Sequence, residues 1–177
     1  MRFVVIGISG SGKTTFARRL AARLGVRCVE LDSLYWLPEW TMRDPESFRE
    51  LVAEAVAGEA WVTDGNYSAV RDLVWPRATA IIWLNYPLRM VLWRLLRRTV
   101  RRARTQEILF SGNRESLRQS FLSHDSILLY ALMHYRRTRD RYRKIFDERP
   151  YAGVEMIEIR NARDAERYLG TAETTVA

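Results

Sequence analysis

Apolar and polar positions change period several times along these 177 residues, and each change marks an element. "RFVVIGI" is a short apolar run rich in β-branched residues, which predicts a buried strand. "GKTTFARRLAARLG" shifts to helical spacing and predicts a helix stopped by Gly25. "VRCVELD" predicts a second strand closed by Asp32, and the aromatic loop "SLYWLPEW" follows it. "DPESFRELVAEAVAGE" predicts a helix with Asp44 as N-cap, Pro45 in the first turn and Gly58 near the end. "AWVTDGNY" and "ATAIIWLNYP" predict a third strand ending in a turn and a fourth closed by Pro87. An arginine-rich helix, a polar loop near "FSGNRE" and a helical stretch from about Phe121 to Phe146 come next. "GVEMIEIR" predicts a fifth strand, "NARDAERYLG" a last short helix and "TAETTVA" a frayed tail.

Strands alternating with helices in this way predict an α/β fold. Its five-stranded parallel sheet is covered by helices in three layers. We expect one domain over residues 1–170 and a flexible tail over 171–177. No internal repeat or low-complexity linker interrupts the chain.

Composition narrows the class. Six Trp and eight Tyr argue against disorder, and a single cysteine excludes an internal disulfide framework or a cysteine-rich zinc site. Cys28 lies in an apolar run and reads as a small buried hydrophobe. No apolar run is long enough to cross a bilayer, and the first apolar stretch enters a glycine-rich loop without a small-residue cleavage site. The expectation is a soluble cytoplasmic protein with no membrane partner.

The net charge of +8 is concentrated. Residues 1–88 balance to zero, residues 89–143 carry fourteen arginines against four acids, and residues 144–177 sum to −2. Only Lys13 and Lys144 are lysines. Arginine suits bidentate phosphate contacts, although GC-rich coding also enriches it. On the arginine-rich helix, Leu88, Val91, Leu92, Leu95, Leu96, Val100 and Ala103 predict one apolar stripe. Arg94, Arg97, Arg98, Arg101 and Arg102 fall off that stripe, as a solvated basic face or as the wall of a site.

"GISGSGKT" carries the clearest chemistry. Gly7, Gly12, Lys13 and Thr14 match G-x-x-x-x-G-K-[ST], with a strand before and a helix after. That pattern defines a P-loop NTPase. The backbone N–H groups of Gly7, Ser9, Gly10, Ser11, Gly12, Thr14 and Thr15 would cradle phosphate at a helix N-terminus. Lys13 would reach the β/γ oxygens of ATP, and the Thr14 hydroxyl would take a Mg²⁺ position.

Beyond this loop the chain resembles the nucleoside monophosphate kinases and their shikimate- and gluconate-kinase relatives. "WVTDGNY" lies where adenylate kinases carry Asp-Gly-Phe-Pro-Arg, so Asp64 and Gly65 match while Asn66, Tyr67 and Ser68 depart. The resemblance implies that Asp64 holds a Mg²⁺-bound water, that Asn66 and Tyr67 lie on the acceptor side, and that Arg71 substitutes for the missing arginine. In "WLNYPLRMVLWRLLRR", Arg94 and Arg98 fall on the R-x-x-x-R that enters the lid of those enzymes. The first would stack on the nucleobase and the second would meet phosphate. At the second strand end Asp32 would contact the acceptor hydroxyl. Tyr35, Trp36 and Trp40 read equally as a stacking platform or an apolar cap.

"ELDSLYWLPEW", "DGNY", "WRLLRR" and "GNRESL" together look like the bacterial DNA topology modulation proteins, over roughly residues 1–145. A lid is expected over about residues 98–137, with Arg114 near its tip and Arg136 and Arg137 closing from the returning helix. His124 and His134 read as surface or packing residues. The function expected is a kinase passing the γ-phosphoryl of Mg-ATP to a small hydroxylated or nucleotide-like acceptor. The alternative is a nucleic-acid-associated ATPase using the basic segment 89–143, although no helix-turn-helix, zinc or RNA-recognition signature accompanies it. The sequence is silent on oligomeric state.

Overall fold

The computed structural model describes residues 1–105, 107–113 and 127–172. Arg114, Phe121, His124 and the last five residues of the expected tail lie outside these, as do the side chains of residues 103, 127, 128 and 130. Five strands form one wholly parallel sheet in the order β2-β3-β1-β4-β5. They are β1 Arg2–Ile6, β2 Arg27–Glu30, β3 Trp61–Asp64, β4 Ala80–Leu84 and β5 Glu155–Ile159. The helices are α1 Lys13–Leu24, α2 Leu31–Tyr35, α3 Pro45–Ala55, α4 Arg71–Val74, α5 Leu88–Thr105, α6 Ile127–Glu148 and α7 Ala162–Thr171. This is the three-layer P-loop NTPase architecture.

The two-residue period of the strands sorts the core into two halves. Val5, Val62, Ile82 and Leu84 pack against Phe16, Leu20 and Leu24 of α1, Val91 and Leu95 of α5, and Leu169 of α7. Val4, Ile6, Ile81 and Trp83 face the other way, onto Phe48 and Val52 of α3 and Tyr142 and Phe146 of α6. Because both faces are covered, the strands read as continuous apolar runs. Trp83 is 2 % exposed and meets the rings of Phe146 and Tyr142 edge-on at 5.2 and 5.9 Å. The chain leaves β1 toward β3 and β2 on one side and later toward β4 and β5 on the other. The crevice where ligands bind in such sheets therefore opens at the carboxyl end of β1.

Several local expectations shift. The second strand stops at Glu30, so Asp32 sits in the first turn of α2 rather than closing the strand. The aromatic loop is that short helix plus a 3₁₀ turn, Pro38–Trp40. The third strand ends at Asp64, because Gly65 to Tyr67 leave the ladder, and α3 ends at Ala55 before Gly58. Between Ser68 and Arg77 the chain forms 3₁₀ turns around α4, a stretch whose pattern announces no element. Asp44 does cap α3, accepting from the Ser47 N–H at 2.9 Å.

On α5 the buried positions are Val91, Leu95 and Thr99, whereas Leu96 is 38 % exposed. A helix wedged between the loop after β1 and α6 buries a narrower stripe than its leucines suggest. No helix among the described residues is long and apolar enough to cross a membrane.

Candidate active site

The loop from Gly7 to Gly12 joins β1 to α1 by a tight turn in which the Ser11 N–H donates to the Ile8 carbonyl at 3.0 Å. Two of its glycines are required by space. A Cβ on Gly7 (φ 154°) would lie 2.6 Å from Ser11 Oγ and 2.9 Å from the Leu84 carbonyl. One on Gly10 (φ 84°) would lie 2.5 Å from Leu95 Cγ, so α5 packs directly against the loop. No side chain caps α1. Its first N–H groups are left to the concavity, together with the positive end of the helix dipole. Lys13 Nζ reaches back to the Ile8 carbonyl at 3.4 Å. Ser9 is half-buried at the rim and Thr15 exposed one residue into the helix.

Thr14 and Asp64 form the floor. The Thr14 hydroxyl donates to Asp64 Oδ2 at 2.5 Å, while Asp64 Oδ1 is buried without a protein partner. Burial pushes the Asp64 carboxyl above the usual carboxylate range, against the opposing pull of Lys13 and the Thr14 hydroxyl. A hydroxyl and a carboxylate with one unsatisfied oxygen, next to the Lys13 ammonium, fit Mg²⁺. That ion keeps most of its waters and takes few protein ligands. No group of three or more His, Cys, Asp or Glu side chains suited to a metal occurs among the described residues.

Asp32 lies across the carboxyl ends of the strands, where its Oδ1 accepts from the Tyr67 hydroxyl at 2.6 Å. Burial, then the Asp32 charge, pushes the Tyr67 phenol up, so it stays a donor. The Tyr67 ring packs against Tyr35 and Phe48, with centroids 4.6 and 5.2 Å away, and Tyr35, Trp36 and Trp40 continue the chain of rings. Other residues expected on this side go elsewhere. Asn66 turns to the backbone of Gly7, and the Arg71 guanidinium lies 4.7 Å over the Trp75 ring.

From α5, Arg94 donates to the Ser11 carbonyl at 2.9 Å and lies 4.6 Å over the Tyr86 ring. Arg98 follows one turn later and is half-buried. On the returning helix Tyr135, Thr138 and Arg139 share a small cavity with Ile8 of the loop. Arg136 and Arg137 lie exposed and do not line it. Helical spacing explains this, since 135, 138, 139 and 142 occupy one face. His134 is half-buried on α6.

One cluster escaped the sequence reading. Ser111 Oγ donates to the Trp36 carbonyl at 2.6 Å, and Asn113 Nδ2 to the Leu37 carbonyl at 2.8 Å. Asn113 Oδ1 accepts from the Trp40 N–H at 3.0 Å, and the residue is 6 % exposed. The segment after α5 is thus fastened to the aromatic turn near Asp32. An amide directly after a glycine, inside "GNRESL", is the signal the sequence offers. Cys28 is half-buried, and burial pushes its thiol up to about 11, so it stays an unreactive thiol.

A family model described as an AAA domain (AAA_33) matches residues 3–152. An uncharacterized protein, YqaC of Bacillus subtilis (strain 168), is 27% identical over 134 residues, 75% of each chain. A solved shikimate kinase from Bacteroides thetaiotaomicron superposes with a TM-score of 0.58 at 13% identity, covering 99% of this chain and 98% of that one. A gluconokinase from Sinorhizobium meliloti 1021 gives 0.54 at 18%, covering 98% and 89%. A sugar kinase from Janibacter sp. HTCC2649 gives 0.54 at 19%, covering 98% and 92%. These structural likenesses are likenesses of fold.

Proposed function

We infer the function from one premise: the chain belongs to the AAA domain family (AAA_33). We propose that it is a kinase that transfers the γ-phosphoryl of Mg-ATP to the hydroxyl of a small acceptor. The observation that carries this reading is the buried Asp64, bonded to Thr14 through one oxygen and open at the other. A plain strand-to-helix turn has no use for an open buried carboxylate there.

In this reading the loop N–H groups and Lys13 hold the β- and γ-phosphates, and Thr14 and Asp64 hold Mg²⁺. When bound, the ion neutralises phosphate charge. Arg94, fixed between Ser11 and Tyr86, borders the nucleotide, and Arg98 lies one helical turn further along the lid. Asp32 accepts the proton of the acceptor hydroxyl as its oxygen attacks the γ-phosphorus and the bond to the ADP oxygen breaks. Tyr35, Trp36 and Trp40 wall the acceptor side. The solved kinases of like fold act, by their names, on gluconate, sugars and shikimate, which makes polyhydroxylated acceptors the first to try.

The test is ADP release over a panel of D-gluconate, shikimate, neutral sugars and nucleosides, with calorimetry of Mg-ATP binding beside it. Lys13→Ala should weaken Mg-ATP about 10- to 150-fold, the worth of one charge-assisted contact. Unchanged affinity would remove the phosphate-loop reading. The exposed Arg97, Arg101 and Arg104 on α5 favour a second reading, a nucleic-acid-associated ATPase. A site with 6–10 phosphate contacts loses about 10³–10⁵ in affinity between 50 and 200 mM salt. We expect only weak DNA binding that vanishes by physiological salt, and tight selective binding there would favour the second reading.

A further inference from the structure

β1 and β3 run side by side until Val5 faces Asp64, and Gly65 N–H still donates to the Val5 carbonyl at 3.4 Å. Beyond that point the two backbones part, since one must enter the phosphate loop and the other has left the ladder. Gly7 then has an N–H and a carbonyl with no strand beside them, and both are buried. Orphaned backbone groups of this kind must find partners. The Asn66 side chain supplies both. Its Oδ1 accepts from the Gly7 N–H at 3.2 Å, and its Nδ2 donates to the Gly7 carbonyl. One amide thus stands in for a missing rung of the sheet, at the residue where the loop begins.

The orientation of Gly7 matters because its φ of 154° sets the direction in which the following N–H groups open. Other contacts confine it too, since Ser11 and the Leu84 carbonyl leave no room for a Cβ. Those contacts limit where Gly7 can sit, and the two Asn66 hydrogen bonds fix how its peptide planes are turned. The neighbouring residue is itself pinned, with the Tyr67 hydroxyl on Asp32 and its ring between Tyr35 and Phe48. Asn66 is therefore held from both sides of its turn. A carboxamide is required, because aspartate lacks the donor and an aliphatic residue lacks both groups.

We propose that Asn66 is a positioning residue for the phosphate-binding loop, setting the Gly7 peptide so that the loop N–H groups are turned inward before nucleotide arrives. It belongs to the donor site and touches no acceptor. The proposal rests on the ATP-binding reading, and its gain is preorganisation: an ordered loop loses less entropy on closing around phosphate.

Mg-ATP binding by calorimetry on the wild type, Lys13→Ala, Asn66→Ala and Asn66→Leu tests it, with thermal melts of each. Asn66→Leu keeps the branched skeleton without the hydrogen bonds. Measured below their melts, both Asn66 variants should bind Mg-ATP about tenfold more weakly, and both melts should fall because two buried backbone groups lose their partners. A packing role would instead spare the leucine variant. Wild-type affinity in both variants overturns the proposal, whereas a wild type that binds no Mg-ATP overturns the ATP reading alone. Amide exchange of Gly7 in the nucleotide-free wild type decides in that case, or if the variants do not fold. The proposal requires strong protection, and exchange at the rate of an open loop overturns it.

Discussion

On the loop side of the cleft the contacts are polar and run within the loop, to the turn at the end of β3 and to Arg94 of α5. Ser11 closes on Ile8, Lys13 reaches Ile8, and the far partners Asp64 and Asn66 come from one turn. On the side of Asp32 the contacts are aromatic and come from four separate segments. Tyr35 and Trp36 lie on α2 and its end, Phe48 on α3, Tyr67 after β3, and Asn113 beyond α5. The first region is built to present backbone charge to an anion, which needs rigidity and little variety. The second is a surface that can be re-cut by changing one ring or one loop. If the activity is phosphoryl transfer, the donor side sets the reaction and the aromatic side sets the acceptor.

The sharpest way to break that division is at the Asp32 carboxylate on the aromatic side. Asp32→Asn keeps the shape and can still accept from Tyr67, but it loses the negative charge. Acceptor-dependent turnover should fall about 10²–10⁴-fold while Mg-ATP affinity stays nearly intact. Background ATP hydrolysis should fall less, since water needs no acceptor wall. Wild-type turnover of a found acceptor would end the role given to Asp32.

Asn113 probes the same division from the segment after α5. Asn113→Ala removes two hydrogen bonds that hold the segment after α5 to Leu37 and Trp40. It should raise the acceptor KM about three- to tenfold, with kcat and Mg-ATP affinity changed less. An equal loss in ATP affinity would show that the two sides are not separable.

The division also explains what the sequence disclosed. The phosphate loop was legible because its glycines, lysine and hydroxyl sit at fixed spacing, and the core strands because both faces are apolar. Asp32 was read as a strand end because nothing in "VELDSLYW" distinguishes an extended carboxylate from one beginning a five-residue helix. Asn66 and Tyr67 were assigned to an acceptor from their place in a motif, yet their partners, Gly7 and Asp32, lie 59 and 35 residues away. Arg136 and Arg137 are singled out on a helix where arginine also stands at 139, 141 and 143, and no local pattern tells which of these face the loop. Such pairings depend on packing, which no local pattern records.

The smallest expected effect lies at the β5 edge of the sheet. Glu158, at the end of β5, is desolvated by its partial burial, which alone would raise its pKa. Hydrogen bonds from Arg160, Arg143 and Asn85 outweigh that and lower it from 4.5 to about 2. The pair with Arg143 ties α6 to the sheet at 2.8 Å, and the Asn85 amide joins from the end of β4 at 2.6 Å. A carboxyl whose folded pKa is depressed gives stability that is fully present above about pH 4.5 and lost as the pH falls toward 2. Glu158→Gln should therefore cost about 1 kcal/mol at neutral pH, after allowing for screening by water, and almost nothing near pH 2. Urea melts of both proteins at several pH values measure the difference. Mg-ATP affinity should not change, because none of the hydrogen bonds drawn to Glu158 involves a residue of the Gly7–Gly12 loop. A stability gap that persists to pH 2 would mean that packing, and not charge, holds α6 in place.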